Sequence, residues 1–398
     1  MKIKFLSLAI LLALVFGIFA GCADTNNDAA SGTTAKETTT AADGSAETEE
    51  SYDGQLVSDY SMELSYAKNF SVDYYKGGYK LITISDGRKF LTIPEGMSIP
   101  AAMEEGTVPV QMPLKNVLIS STPTMSLLNA IDVLDRVTMT TTDVDSWYID
   151  NVVTALGGGA MTYIGDYKAP DYELITAGAP ALSVFSTMLS SVPEVEEKLI
   201  ELGVPILLDQ ATYEEHPLAR VEWMKLYGAL FDREEAAKTA FDEQVQYVTG
   251  VSSAESTGKT VSMFYITSKG LLYARQGGDY MAKMLELAGG EYVFADVNPQ
   301  ETGTNQMDFE TFYATAKDAD YIIYIWSLGG RPETLADFME KNELFSEFKA
   351  VKDGNVWCTT PDYFQISNTL GYMIKDMNSM LTLTDSGTDR LTYLFKLK

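Results

Sequence analysis

The sequence predicts an α/β protein of two lobes joined by a single long rigid helix, with a β-hairpin extension at the N-terminal end. Short β-branched runs alternate with helical patterns from Val117 to Leu208 and again after residue 258, the texture of βαβ units on a mostly parallel sheet. Between these two regions lies a helical stretch free of strands. The 398 residues, 46% hydrophobic and 21% charged, are enough for two or three domains with substantial cores.

Lys2 and Lys4 precede an apolar run from Phe5 to Phe16 that is short for a membrane span, and small residues lead into Cys22, so residues 1–21 read as a cleaved secretory signal. Ala20-Gly21-Cys22 resembles the end of a bacterial lipoprotein signal. That resemblance implies diacylation of Cys22 and attachment to the outer face of a membrane, each buried methylene adding about 0.8 kcal/mol. Residues 22–53 have almost no Leu, Ile, Val or Phe and carry eight acids against Lys36, the composition of a flexible acidic tether.

The N-terminal lobe is expected over residues 54–231. Tyr79–Ile84 and Lys89–Ile93 flank Asp86-Gly87, a pair suited to a type I′ hairpin. Strands follow at Val117–Ser120, Val137–Thr140, Leu182–Phe185 and Val204–Leu208, with helices near Thr124–Leu134, Trp147–Leu156 and Pro193–Leu202. Pro217 opens a helix running to Phe231. Asp232 and Glu235 read as a capping box for the bridging helix, residues 232–252, roughly 30 Å long at 1.5 Å per residue. The C-terminal lobe, 253–398, carries strands at Thr260–Ile266, Tyr321–Ile325 and Val356–Thr359. An acid-aromatic-Glu segment precedes a buried strand in each lobe: Asp171-Tyr-Glu173 before Leu182, and Asp308-Phe-Glu310 before Tyr321.

Composition removes several functions. With 29 basic against 56 acidic residues and a formal charge of −27, the chain lacks the footprint of a nucleic-acid binder. One histidine and two cysteines leave little from which to build a zinc site or a Ser-His-Asp set. His216, beside Pro217, reads as a helix cap or packing residue, and Gly157-Gly-Gly159 lacks the Lys-Ser/Thr of a phosphate loop and reads as a helix end. Cys358 is the sole thiol of the folded body, which therefore forms no internal disulfide.

From about residue 78 to the end the chain resembles the cobalamin- and ferric-siderophore-binding class of solute-binding proteins of ABC importers, in lipoprotein form. The two acid-aromatic-Glu segments carry the resemblance, with Leu199–Ile206, Glu215–Arg220, Glu222–Gly228, Gly277–Gly290 and Phe348–Val356. It implies Rossmann-like lobes around one ligand cleft, a stiff helical connection that closes by only a few degrees, no catalysis and no resident cofactor. Iron or cobalt would arrive inside the ligand. It also implies docking of Glu173 and Glu310 on an ABC permease with its ATPase subunits, by a monomer outside the cytoplasm.

Ligands of open α/β sheets bind beyond the carboxyl ends of the strands. Those loops hold Thr122, Met125, Trp147, Tyr148 and Met188 in the first lobe, and Tyr273, Arg275, Trp326 and Tyr363 in the second. Aromatic and flexible apolar side chains with a guanidinium suit a bulky chelate or macrocycle: a ferric siderophore, cobamide or haem-like molecule. A surface enzyme on the same scaffold, a chelatase or hydrolase, is the alternative.

Overall fold

The computed structural model describes residues 55–252, 256–326, 330–383 and 389–398. The signal segment, Cys22 and the tether lie outside the described residues. The first sheet comprises β1 (Ser58–Ser61), β2 (Phe70–Tyr75), β3 (Lys80–Ile84), β4 (Lys89–Ile93) and β5 (Thr107–Gln111) in sequential order, antiparallel except for the β4–β5 pair. The expected hairpin is thus the β3–β4 centre of a larger sheet. Its turn is not type I′, because Gly87 takes a left-handed φ of 94° and Asp86 does not. The Gly87 N–H donates to the Ile84 carbonyl, and Asp86 Oδ1 accepts the Arg88 N–H, fixing an ordinary turn that ends in a left-handed glycine.

Two buried carboxylates fasten the chain around β2 to the rest of the protein. Glu222, fully buried, accepts the N–H groups of Ser65, Tyr66 and Ala67 at 2.7–2.9 Å, while Glu214 accepts those of Lys68 and Asn69 and the Trp223 indole N–H. Backbone donors therefore stabilise charges that would be costly to leave alone.

The second sheet is wholly parallel, ordered β10-β9-β6-β7-β8, from β6 (Val117–Ile119), β7 (Val137–Thr140), β8 (Thr162–Tyr163), β9 (Leu182–Ser186) and β10 (Ile206–Asp209). Helices α1 (Thr122–Ala130), α2 (Asp150–Gly157), α3 (Tyr172–Gly178) and α4 (Pro193–Glu201) alternate with its strands. Every residue of β6 and β10 is buried, as expected of strands covered on both faces.

The chain passes to the third sheet through α5 (Pro217–Phe231) and α6 (Glu234–Ser252). Twelve of the fifteen α5 residues are buried, so α5 is a core helix covered on nearly all sides, whereas α6 buries only the stripe Ala237, Phe241, Gln244 and Val248. A Cβ at Gly228 would stand 2.7 Å from that of Ala237, so glycine is what lets the two helices close together. Asp232 does not cap α6. It adopts a left-handed conformation at the end of α5, where its N–H donates to the Gly228 carbonyl and its carboxylate meets the buried Lys80 ammonium at 2.7 Å. The ion pair to the first sheet takes the side chain that the capping box required.

The third sheet runs β14-β12-β11-β15-β16-β17, with β13 also paired to β11. Its strands are β11 (Lys259–Ile266), β12 (Leu272–Arg275), β13 (Gly290–Tyr292), β14 (Thr304–Met307), β15 (Tyr321–Tyr324), β16 (Val356–Thr359) and β17 (Leu394–Lys396); β11, β15 and β16 are mutually parallel. Helices α7 (Tyr280–Leu287), α8 (Phe309–Ala316), α9 (Leu335–Glu340), α10 (Lys349–Lys352) and α11 (Leu370–Thr382) complete it. Among the described residues no strand pairing joins the second and third sheets, which leaves room for a cleft.

Candidate ligand cleft

The carboxyl ends of β6, β9 and β10 meet the N-terminus of α7 and the segment after β16 around a cavity of about 180 Å³. Ser121, Ser186, Asp209, Arg220, Tyr280 and Tyr363 are in its wall. Asp209 arrives at the end of β10 and is held by the Tyr227 and Thr124 hydroxyls, at 2.5 and 2.7 Å, and by the Ala211 N–H. Burial pushes its carboxyl above the usual range, against the pull of these donors.

Arg220 lies one turn into α5. Its Nε and Nη2 donate to the Glu214 and Thr212 carbonyls at 3.1 and 2.7 Å, and its guanidinium stacks 3.8 Å from the centre of the Tyr280 ring. Among the described residues no carboxylate forms an ion pair with it, and burial lowers its pKa. Arg275 ends β12 directly behind Tyr363, whose hydroxyl is 3.5 Å from Nη2. Burial opposes its charge most strongly, but the Asp279 carboxylate, 3.7 Å from Nη1, together with the nearby Tyr363, Tyr280 and Tyr292 hydroxyls raises its pKa. The buried Arg275 Nε has no hydrogen-bond partner among the described residues. Burial pushes the Tyr363 hydroxyl up to about 12 although Arg275 pulls the other way.

Asp279 is positioned by a tight local fold. It caps α7, accepting the Met281 N–H, and also accepts the Gly303 N–H at 2.9 Å. A Cβ on the nearby Gly277 would lie 1.9 Å from the Ala295 carbonyl oxygen, so only glycine allows that loop to pass.

Of the residues singled out by sequence, Tyr363 lines the cavity and Arg275 stands behind it. Tyr148 and Trp326 reach the same rim through Phe364, meeting its ring edge-on at 6.2 Å and stacked at 6.3 Å. Thr122 sits between Ser121 and Pro123 of the wall, and Met188 is exposed just beyond Ser186. Three others sit away from this cavity. Met125 is fully buried because it faces inward from α1; Trp147 is buried and donates its indole N–H to the Thr142 carbonyl; Tyr273 stacks on Tyr265 across the β11–β12 pair, its hydroxyl on Gln306. Arg220, Tyr280, Phe364 and Asp209 were missed. Pro217 at the helix start was the available signal for Arg220, since it fixes that residue one turn inside.

Glu173 and Glu310 occupy the same position in two equivalent helices. Asp171 caps α3 and Asp308 caps α8, each accepting first-turn N–H groups, and each glutamate follows two residues later, exposed. Each helix then leads to the strand, β9 or β15, paired in parallel with the first strand of its sheet, β6 or β11. His216 caps α5 through Nδ1 and stacks on Tyr66, and Gly157–Gly159 ends α2.

A model of the periplasmic binding protein family matches residues 117–363, which span the second sheet, both connecting helices and most of the cleft wall as far as Tyr363. The chain belongs to that family. This periplasmic binding protein is similar to two uncharacterized lipoproteins of Methanocaldococcus jannaschii. One is 27% identical over 327 residues, covering 76% of this chain and 77% of the relative; the other is 28% identical over 409 residues, covering 99% and 100%. In fold it is similar to the petrobactin-binding protein YclQ of Bacillus subtilis (TM-score 0.55, 15% identity, 77% of this chain and 99% of that one). It is likewise similar to a periplasmic heme binding protein of Pseudomonas aeruginosa (TM-score 0.54, 13% identity, 72% and 98%). Among the described residues no helix is long and apolar enough to cross a membrane.

Proposed function

We propose that this periplasmic binding protein is the binding component of an ABC importer, lipid-anchored through Cys22, that captures an anionic metal chelate or macrocycle such as a ferric siderophore, a cobamide or haem. The observation carrying the reading is Arg220: a partly buried guanidinium in the cavity wall, hydrogen-bonded to carbonyls yet without a carboxylate partner among the described residues. Such a charge is stabilised by an incoming carboxylate or catecholate. Phe364, Trp326 and Tyr148 offer flat faces to the conjugated part of the same molecule. The named ligands of similar folds, petrobactin and heme, belong to this chemical range.

Glu173 and Glu310, each exposed in the first turn of its helix, fit the role of paired contacts to permease arginines, fixing orientation as well as affinity. The test presents the purified protein with ferric tris-catecholate, ferric citrate-type siderophores, cobalamin and haem, measuring retained colour and thermal shift. Retention of at least one anionic chelate is expected, and no binding to any of them overturns the reading. Replacing both glutamates with alanine is expected to abolish uptake in cells at unchanged ligand affinity.

A further inference from the structure

The described cavity is smaller than the roughly 300–1,000 Å³ usual for ligand pockets, and the segment that closes it has empty space behind it. Tyr363, Phe364, Ser367 and Leu370 front the 180 Å³ cavity. Asp362, Gln365, Ile366 and Thr369 front a second, polar cavity of about 380 Å³ on the other side, against α1 and the start of α2. This alternation places one helical face of residues 362–369 on each cavity. The segment is tied near both ends to Tyr393: the Thr360 N–H donates to its carbonyl at 3.0 Å, and the Thr369 and Tyr393 hydroxyls are 2.8 Å apart.

Between those ties, the hydrogen bonds to the opposite half among the described residues come from one side chain. Gln365 is 2% exposed; its Oε1 accepts the Tyr148 N–H at 3.0 Å and its Nε2 donates to the Ser146 carbonyl at 2.8 Å. We propose that residues 362–369 are a gate, that the Gln365 amide is its latch, and that the gate swings into the polar cavity to admit a ligand too large for the closed cleft. The motion carries Tyr363 away from Arg275 and so uncovers a guanidinium with an unused Nε. The polar lining behind the gate, with Ser126, Asn129 and Asn151, supplies donors and acceptors for the displaced segment. Small hinged segments of this kind absorb closure in many binding proteins. The inference rests on the importer reading but is tested without any ligand.

The full chain carrying Cys22→Ser, Met188→Cys and Asp362→Cys is spin-labelled, and the distance distribution between the labels is measured with Gln365 present and after Gln365→Ala. Loss of both bonds is expected to enrich a second, longer distance by roughly tenfold or more. Gln365→Asn, one methylene too short to hold both partners, is expected to act in the same direction, and serves if the alanine variant does not fold. In the unsubstituted protein the Tyr148 amide is expected to exchange with deuterium much faster than the β9 amide of Val184. Identical distance distributions in a folded variant, or Tyr148 exchange as slow as that of Val184, overturn the gate. Failure to bind any chelate removes the importer reading and leaves these distances standing.

Discussion

Arg220 and Arg275 are two partly buried guanidiniums near one tyrosine-lined cavity, and they are incomplete in opposite ways. Arg220 has its hydrogen bonds but no ion-pair partner among the described residues; Arg275 has the Asp279 carboxylate but an unpartnered Nε and a weak 3.5 Å contact to Tyr363. The difference follows from where they sit. A residue in the first turn of α5 lies beside the carbonyls of the preceding turn, whereas one at the end of β12 meets the capping acid of the next helix. An anion would complete both, giving Arg220 a charge partner and Arg275 an acceptor.

The largest effect is expected from Arg220→Ala, which removes the wall charge without a counter-ion. Affinity for a ferric tris-catecholate should fall roughly 30-fold, about 2 kcal/mol, with Arg220→Lys in between, in a fluorescence titration. Arg275→Ala should weaken the same ligand about tenfold, since it also leaves Asp279 uncompensated; an unchanged affinity would mean that Tyr363 never uncovers this residue. Asp209→Asn should tighten binding of the anion a few-fold, about 0.5–1 kcal/mol, by removing a negative charge from the wall. Burial raises the Asp209 pKa, so affinity in the unsubstituted protein should rise as pH falls through that value, and the Asn variant should lose this pH dependence. The associated stability has the same sign: the folded state holds that proton more tightly than the unfolded chain, and the gain disappears as pH rises through the folded pKa. Tyr363→Phe should change affinity by about twofold or less, because a 3.5 Å contact is marginal as a hydrogen bond.

The positions of the parallel strands were legible because covered parallel strands are rich in β-branched and other apolar residues. Val117–Ile119, Leu182–Ser186 and Val356–Thr359 fall within a residue or two of where their β-branched runs place them. The caps of α3 and α8 were legible for an equally local reason, since Asp accepts N–H groups of its own next turn. Asp232 failed as a cap because Lys80, 152 residues away, takes its carboxylate.

Sequence by itself determined the α/β class, the two parallel regions, the paired acidic helix starts and the richness of aromatics at strand ends, all set by contacts within a few residues. Tertiary structure decided which of those aromatics share a cavity, that Met125 and Trp147 turn into the core, and that Gln365 spans the two halves to Ser146 and Tyr148. Such pairings join residues more than 200 positions apart. They depend on how packed layers bring distant loops together, which no local pattern encodes.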